Sequence, residues 1–203
     1  DCGGPCGSEA LIDPLYLFVF FGLFTPGPNV ILLTASGARF GFGRTIPHVL
    51  GVAIGVGITS ALTALGIGAL LLAIPVLKLA LQVAAVTWIF WMAWKLFRSR
   101  GVTTEGRDRP FTFVEAVLFQ WVNPKIWIIA LAAASGYAST LPAAQEAMRI
   151  GGAFSGINLF VCLFWTFAGT LLAYLLRTPL AWRVFTTVMA LALAASGFMV
   201  FLA

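Results

Sequence analysis

The chain has 203 residues, of which 61% are hydrophobic and only 9% are charged, and its mean hydropathy is +1.00. A soluble domain carries about 25% charged residues, so this chain has too few to cover a water-facing surface. Intrinsic disorder is excluded as well, because it requires low hydrophobicity and high charge. The apolar residues form continuous runs of about twenty or more, which is the length that a helix needs to cross a bilayer. Composition therefore indicates a polytopic helical membrane protein.

The first thirteen residues are Gly-rich and contain Cys2 and Cys6. We interpret 1–13 as a leader outside the membrane, and not as a signal peptide, because no basic stretch precedes the first apolar run. The third cysteine, Cys162, lies within an apolar run. Three cysteines are too few for a disulfide scaffold. The leader is either a tail without function or the site of a disulfide between Cys2 and Cys6.

Six apolar segments follow in chain order. A polar stretch, 98–110, divides them into two halves of three, 14–97 and 111–203. We therefore predict an all-α integral membrane fold with six transmembrane helices, in which 98–110 is a basic cytoplasmic loop. The predicted segments cover about 14–38, 46–74, 76–97, 111–138, 147–176 and 180–203.

The basic residues are unevenly distributed between the two ends of these segments. Nine of the twelve Lys and Arg residues lie in the connections 1–2, 3–4 and 5–6, whereas Lys78 and Arg149 lie on the opposite side. Because cytoplasmic loops are enriched in Lys and Arg, we predict a multi-pass protein of the bacterial inner membrane with both termini outside. The net charge of +5 forms no basic stripe, so we do not expect binding to nucleic acid.

Two segments contain residues that interrupt a helix. Proline removes a backbone donor and glycine adds flexibility. At 1.5 Å per residue, both interruptions lie about 16–18 Å into a hydrocarbon core that is about 30 Å thick. Since each half has three spans, the second half starts from the opposite side. We predict two inverted three-helix repeats with helices 1 and 4 broken near the bilayer midplane, at Thr25-Pro26-Gly27-Pro28-Asn29 and at Asn123-Pro124-Lys125.

Matched interruptions of this kind are typical of the binding site of a transporter. We interpret Thr25 and Asn123 as N-caps of the restarted helices. Pro26 and Pro124 would then occupy the favoured first helical position. The positive ends of two half-helices would meet at the midplane, where they can bind a carboxylate. The alternative is that both sites are proline kinks that serve packing alone.

Three further polar residues lie inside the apolar segments. A lysine near the bilayer centre costs about 2.5–3.5 kcal/mol on insertion scales, so Lys125 should face a cavity or a partner. It either binds a substrate carboxylate or takes part in proton coupling; alternatively, it reaches the interface or bonds carbonyls that the break frees. Gln120 and Asn158 are pocket donors or form interhelical hydrogen bonds. The candidate substrate-binding residues are Thr25, Pro26, Gly27, Pro28, Asn29, Gln120, Asn123, Pro124, Lys125 and Asn158.

Small residues cluster at the end of the first segment and along the second. Small residues permit close approach of membrane helices, so we expect packing surfaces there. His48 is expected to be a satisfied interfacial residue. The glycines are Gly37, Gly41, Gly43, Gly51, Gly55 and Gly57.

Three motifs stand out: Phe24-Thr25-Pro26-Gly27-Pro28-Asn29 followed by Ser36-Gly37, Gly41, Gly43, Pro47-His48, Gly51 and Gly55; Gln120-Trp121-Val122-Asn123-Pro124-Lys125; and Trp94-Lys95-Leu96-Phe97-Arg98. Together they resemble the LysE/RhtB amino-acid exporters. The resemblance implies six helices and efflux of small amino acids or their derivatives, driven by the proton gradient. The third span departs from the family pattern, with Trp88, Trp91 and Ala93 where two tyrosines and a glycine are usual. The stretches 119–126 and 158–169 are similar to the cysteine/O-acetylserine exporters.

The sequence thus predicts a secondary active exporter of small neutral amino acids or derivatives, not an enzyme, without cofactor or metal. No acidic residue is predicted at mid-membrane, which disfavours lysine or arginine as substrate. The expected partners are the substrate, the proton gradient and the bilayer, with a homodimer as an open alternative. One half would rock against the other around the site. A thiol–redox carrier would need paired cysteines in the membrane, and a metal-ion exporter would need a ligand cluster there; both remain alternatives.

Overall fold

A computed structural model of the chain describes residues 13–25, 27–67, 70, 73–98, 109–175 and 178–202. Nearly all of the leader, most of the loop 98–110 and Pro26 lie outside the described residues. Every regular element in these ranges is an α-helix, as predicted. In chain order they are α1 (Pro14–Phe24), α2 (Pro28–Phe40), α3 (Phe42–Ala64), α4 (Pro75–Phe97), α5 (Phe113–Trp121), α6 (Pro124–Gly136), α7 (Ala143–Leu175) and α8 (Pro179–Leu202).

The two predicted helix breaks are present. Helices α1 and α2 meet at a bend of 60°, and α5 and α6 meet at a bend of 65°. Thr25 and Asn123 each precede a proline in the sequence and have ψ angles of 135° and 97°. A residue before proline is disfavoured in the helical region, which is why the first helix of each pair ends there.

The N-cap of the first break differs from the prediction. Thr25 is the C-cap of α1, and its hydroxyl donates to the carbonyls of Phe21 and Gly22 at 2.9 and 2.8 Å. Gly27 is the N-cap of α2, and Pro28 takes the first helical position. The assignment of Thr25 and Pro26 to the start of the second half-helix is therefore wrong, because Pro28 can begin a helix equally well.

The second break agrees with the prediction. Asn123 is the N-cap of α6, and Pro124 follows at the first helical position. The Asn123 side chain makes no hydrogen bond to the backbone of the first turn, so its amide remains available for other contacts.

The described helices include two that are long and apolar enough to cross a membrane by length and composition, α3 and α7. The number rises to four if each bent pair is counted as one span. A shorter apolar helix covers Pro179–Ala195. The six-span arrangement remains a prediction.

The helices of the two halves interlock. Helix α7 packs against α3 and α2, and α3 packs against α5 and α6. The largest core cluster draws on α1, α2, α3, α5, α6 and α7. Helices α4 and α8 pack chiefly against each other, and α8 also contacts α2. A smaller cluster that includes Ile31, Met92, Phe119 and Leu193 joins this pair to the rest.

The closest crossing joins α2 to α7 through two reciprocal glycine contacts. A Cβ atom at Gly37 would overlap the carbonyl oxygen of Thr166, and a Cβ atom at Gly169 would overlap that of Thr34. The Thr170 hydroxyl also donates to the carbonyl of Gly37 at 3.2 Å. The two backbones therefore touch at this level, as in other membrane helix pairs with small residues at the interface.

The predicted glycine surfaces are confirmed in part. Gly51 and Gly55 face α5, and Gly57 faces α7, all at distances that leave no room for a Cβ atom. At Gly41 and Gly43, in contrast, a Cβ atom would meet no other atom within 4 Å. Gly41 instead has a φ of +82°, which allows the tight turn from α2 to α3.

Polar residues from distant segments meet at one end of the bundle. Arg149 of α7 bonds Glu146 at 2.8 Å and Asp13 at 3.4 Å, and its guanidinium also donates to the carbonyl of Tyr137. These contacts fix the start of α1 and the α6–α7 connection to α7. Asp13 and Arg149, both predicted to lie on the outer side, are therefore at the same end.

We expect Gly169→Ala to lower the stability of the protein by about 1–3 kcal/mol, because the added methyl group must push α7 away from α2. The measurement is the apparent melting temperature of the detergent-solubilised protein. Gly156→Ala is the matched control in the same helix, since a Cβ atom there meets nothing within 4 Å. Equal melting temperatures for the two variants would contradict the close crossing.

Candidate functional site

A small cavity lies where the two broken helices meet. Its lining includes the N-cap and second residue of α2, Gly27 and Asn29, and those of α6, Asn123 and Lys125. Asn158 of α7 lines it from the side. Its volume is about 10 Å³, close to what one water molecule needs. The structure therefore brings five of the predicted site residues to one small cavity.

Lys125 connects the two breaks. Its Nζ donates to the carbonyl oxygen of Thr25 at 2.6 Å and lies 3.4 Å from the Thr25 hydroxyl. Of the roles considered for this lysine, the structure shows the bond to a carbonyl freed by a break, and that carbonyl belongs to the opposite half of the chain. A Cβ atom at Gly27 would lie 3.0 Å from both Cδ and Nζ of Lys125. Glycine at this position thus makes room for the lysine side chain.

The carbonyl at the end of α5 also receives a side-chain donor. The indole Nε1 of the buried Trp127 donates to the carbonyl oxygen of Trp121, the last residue of α5, at 3.1 Å. Helix α6 thus supplies a donor to each break. This role of Trp127 was not predicted from the sequence, although a tryptophan shortly after a broken helix could have suggested it.

Asn29 and Gln120 form a reciprocal amide pair between the two broken helices. Asn29 Nδ2 donates to Gln120 Oε1 at 2.8 Å, and Gln120 Nε2 donates to Asn29 Oδ1 at 3.2 Å. Gln120 Nε2 also donates to the carbonyl of Ala116 at 2.9 Å. Gln120 is fully buried and lies beside the cavity rather than in its lining. The structure therefore gives Gln120 the interhelical role.

Two polar atoms at the cavity have no hydrogen-bond partner among the described residues. They are Asn123 Oδ1, an acceptor, and Asn158 Nδ2, a donor. Both residues are almost completely buried, with exposed fractions of 1% and 2%. A buried polar group without a partner costs about 1–3 kcal/mol, so both atoms favour a bound polar molecule.

The rest of the lining is apolar and includes a residue that sequence analysis did not assign to the site. Cys162 lies in the cavity wall together with Leu23, Val30, Leu33, Ile126 and Val161. Cys162 follows Asn158 by four residues and hence lies on the same face of α7. That spacing is the signal that could have identified it.

Three more of the predicted site residues border the cavity. Pro28 is buried and Pro124 is half-buried, and each begins a helix whose first turn faces the cavity. Thr25 lies at the rim through its contact with Lys125. Pro26 is outside the described residues.

The geometry favours a small molecule that carries one negative and one positive charge. Two helix N-termini and the Lys125 ammonium group create a positive potential, which stabilises an anion. Asn158 Nδ2 adds a neutral donor, and Asn123 Oδ1 can accept a bond from an ammonium group. The described lining contains no acidic side chain. A zwitterion with one carboxylate and one ammonium group matches these atoms.

The chain is similar to a known family and to several curated proteins. The sequence profile described as LysE type translocator matches residues 20–203. The cysteine/O-acetylserine efflux protein of Escherichia coli O157:H7 is 29% identical over 174 residues, which cover 84% of this chain and 88% of that protein. The protein of the same name from Salmonella typhimurium is 27% identical over 161 residues, which cover 79% of each chain. No solved structure shows a significant similarity.

These matches confirm the family resemblance that the proline-containing motifs predicted. The profile covers both helix breaks and all the residues of the cavity. Since the match extends over most of the chain, the protein belongs to the LysE type translocator family and is an integral membrane transporter, not an enzyme.

Proposed function

We propose that the protein is a secondary exporter of a small neutral amino acid or a close derivative across the bacterial inner membrane, driven by the proton gradient. The observation that carries this proposal is the cavity between two helix N-termini, with Lys125 and two buried unpartnered amide atoms in its described wall. Relatives that cover most of the chain are named cysteine/O-acetylserine efflux proteins, and both named substrates are small zwitterions.

The proposed binding mode assigns each end of the substrate to a set of atoms. The carboxylate lies between Lys125 Nζ and Asn158 Nδ2, near the N-terminus of α6. The ammonium group donates to Asn123 Oδ1. A basic amino acid would bring a second cation to a lining that has no described acidic side chain, so lysine and arginine are disfavoured.

Substrate binding requires the cavity to open. Its volume of about 10 Å³ is near that of a single water site and much smaller than an amino acid. Two contacts hold the broken helices together at this level, Lys125 with Thr25 and Asn29 with Gln120. In our proposal, a substrate carboxylate accepts the hydrogen bond of the Lys125 ammonium group in place of the Thr25 carbonyl. The broken helices then lose this contact, which allows alternating access.

The contact pattern supports an inverted repeat of the segments 14–97 and 111–203. Helix α3 of the first segment packs against the broken pair of the second, and α7 of the second packs against the broken pair of the first. Helices α3 and α7 also pack against each other, as do α4 and α8. Each of these contacts between helices has an equivalent contact when the two segments exchange places. In this proposal 98–110 is the cytoplasmic connection and 1–13 lies outside.

The family favours an exporter over the two alternatives drawn from the sequence. The relatives are named efflux proteins for an amino acid and its derivative, which matches a zwitterion site better than a redox carrier or a metal-ion exporter. A homodimer remains an open proposal for the assembly.

We expect Lys125→Ala and Asn123→Ala each to reduce export of labelled O-acetylserine at least about tenfold, because each loses a bond to a charged group of the substrate. The measurement is efflux from loaded vesicles with and without a proton gradient, and the wild-type rate should fall when the gradient is collapsed. The control is Gln145→Ala, which removes an exposed amide side chain in the first turn of α7. This variant should export normally. Wild-type rates for both site variants would show that the cavity is not the binding site.

Asn158→Asp tests whether the substrate carboxylate lies beside α7. The substitution keeps the shape of the side chain but adds a negative charge, which repels a carboxylate about 4 Å away by roughly 4 kcal/mol at an intermediate dielectric. Export should fall at least about tenfold. Gln145→Glu adds the same charge at an exposed site and is the control. Unchanged export by Asn158→Asp would place the carboxylate elsewhere.

The orientation predicts the labelling of single cysteines in a chain that carries Cys2→Ser, Cys6→Ser and Cys162→Ala. Gln145→Cys should react with a membrane-impermeant thiol reagent in intact spheroplasts, whereas Gly43→Cys should react only after permeabilisation. Both positions are exposed. The reverse pattern would invert the proposed topology.

A further inference from the structure

A second and larger cavity opens at the opposite end of the bundle from Arg149. It has a volume of about 130 Å³ and lies between α2, α3, α4, α8 and the segment that precedes α5. We call it the vestibule. Its polar lining residues are Ser36, Arg39, His48, Arg109 and Thr186.

The vestibule is lined by residues at the end that the proposed orientation places in the cytoplasm. Arg39 and Arg109 belong to connections that the sequence assigns to that side, and the vestibule lies beside both. An exporter takes its substrate from the cytoplasm, so this is the side from which the substrate of the proposed function must arrive.

One face of α2 leads from the vestibule to the central cavity. Asn29, Leu32, Ser36 and Arg39 follow each other at spacings of three or four residues, which places them on one side of the helix. Asn29 lines the central cavity, and the other three line the vestibule. The distance from Asn29 to Arg39 along the axis is about 15 Å, from 1.5 Å per residue.

An apolar cluster borders the vestibule and includes residues of α2 and α5 that lie close to Asn29 and Gln120 in the sequence. Ile31 and Leu32 lie between Asn29 and Ser36 on α2, and Phe119 of α5 directly precedes Gln120. These three apolar residues belong to the cluster that joins α4 and α8 to the bundle. Met92 of α4 belongs to this cluster and also lines the vestibule. The cluster therefore forms part of the vestibule wall.

The described lining of the vestibule includes two cationic side chains. It contains the guanidinium groups of Arg39 and Arg109 and no carboxylate. From outside the lining, Glu115 holds Arg109 through two contacts of 3.0 and 3.2 Å. Arg39 packs over the ring of Phe40, with its guanidinium carbon 5.1 Å from the ring centroid. An arginine in a cavity wall is suited to binding a carboxylate, because its guanidinium group offers several N–H donors in one plane.

Apolar surface completes the recognition of a small organic molecule. Trp91, Trp182 and Phe185 form part of the wall, and the His48 ring lies 4.9 Å from that of Phe111 at the same cavity. A mostly apolar cavity with a few convergent polar groups is the usual form of a small-molecule site.

We infer that the vestibule is a loading site, in which Arg39 binds the carboxylate of an amino acid before the apolar cluster opens towards the central cavity. The inference rests on the proposed function for the identity of the ligand, but the site is physically separate from Lys125.

The test is protection of a single cysteine from alkylation. Ala35→Cys is introduced into the chain that carries Cys2→Ser, Cys6→Ser and Cys162→Ala, because Ala35 lines the vestibule and is half-buried. Alkylation is followed in detergent, where both ends are accessible, with O-acetyl-L-serine as the probe. The control probe is 2-aminoethyl acetate, which lacks only the carboxylate.

We expect O-acetyl-L-serine to slow alkylation of Ala35→Cys several-fold and 2-aminoethyl acetate to leave it unchanged. The control position is Gly43→Cys, which is exposed near the same end but outside the vestibule lining, and neither compound should protect it. Equal protection by both compounds, or none, would overturn the role of the carboxylate.

Adding Lys125→Ala separates the two sites. Protection of Ala35→Cys should persist in this background, whereas protection that disappears would mean that the ligand binds only at the central cavity. Adding Arg39→Gln instead should raise the concentration of O-acetyl-L-serine needed for half-protection about tenfold, through loss of a charge-assisted bond. Unchanged half-protection would exclude Arg39 as the carboxylate partner.

A transport assay distinguishes failure of this inference from failure of the proposed function. Arg39→Gln should raise the KM for export without lowering kcat, because the central cavity is intact. If the wild type exports and Arg39→Gln has the same KM, the loading site is wrong and the proposed function stands. If the wild type exports no amino acid while protection is observed, the proposed function fails and the vestibule remains a carboxylate-binding site.

Discussion

A backbone carbonyl or amide that is buried away from water needs a hydrogen-bond partner within the protein, and each interrupted helix leaves several such groups at once. This constraint organises the centre of the molecule. At the end of α5, the backbone amides of Val122 and Asn123 donate to the carbonyls three residues earlier, those of Phe119 and Gln120. Trp127 then donates to the carbonyl of Trp121.

The carbonyl of Thr25 receives its bond from across the molecule. Its donor, Lys125, is one hundred positions away in the chain. Satisfying the backbone at one break therefore fixes the position of the other. The same requirement brings two helix N-termini together, and the positive potential that results is a property of the arrangement and of no single residue.

The sequence predicted those features that depend on local chemistry. Paired proline motifs were sufficient to locate both breaks, because proline restricts the residue before it wherever that residue lies. Asn123 was correctly identified as an N-cap for the same reason. Thr25 was misassigned because Thr25-Pro26 and Gly27-Pro28 are both acceptable helix starts, and their local chemistry does not distinguish between them.

Features that depend on tertiary contacts were not accessible from the sequence. The partner of Lys125 is one example, since its four candidate roles differ only in which atoms surround the ammonium group. The pairing of Asn29 with Gln120 is another, because both residues lay in recognised motifs but nothing in either motif specifies the other. Cys162 was visible only through its spacing from Asn158.

The glycine contacts restrict how the bundle can move. Helices α2 and α7 touch through backbone atoms at Gly37 and Gly169, and α3 makes similar contacts with α5 and α7. A rigid separation of the two halves would have to break all of these at once. Sliding along the smooth glycine surfaces, or displacement of the α4–α8 pair, which contributes no described residue to the largest core cluster, leaves most of them intact.

The two contacts that join the broken helices beside the central cavity differ in how they respond to the membrane potential. One is the Asn29–Gln120 amide pair, and the other is the bond from Lys125 to Thr25. Asn29 and Gln120 are neutral amides, each both donor and acceptor, so the strength of their pairing is independent of voltage. The bond from Lys125 to Thr25 holds a positive charge, and moving one charge across the full membrane involves about 2.3 kcal/mol per 100 mV. Any displacement of Lys125 along the membrane normal transmits a fraction of that energy to the cavity. The cavity is therefore bordered by one contact whose energy depends on the membrane potential and by one whose energy does not.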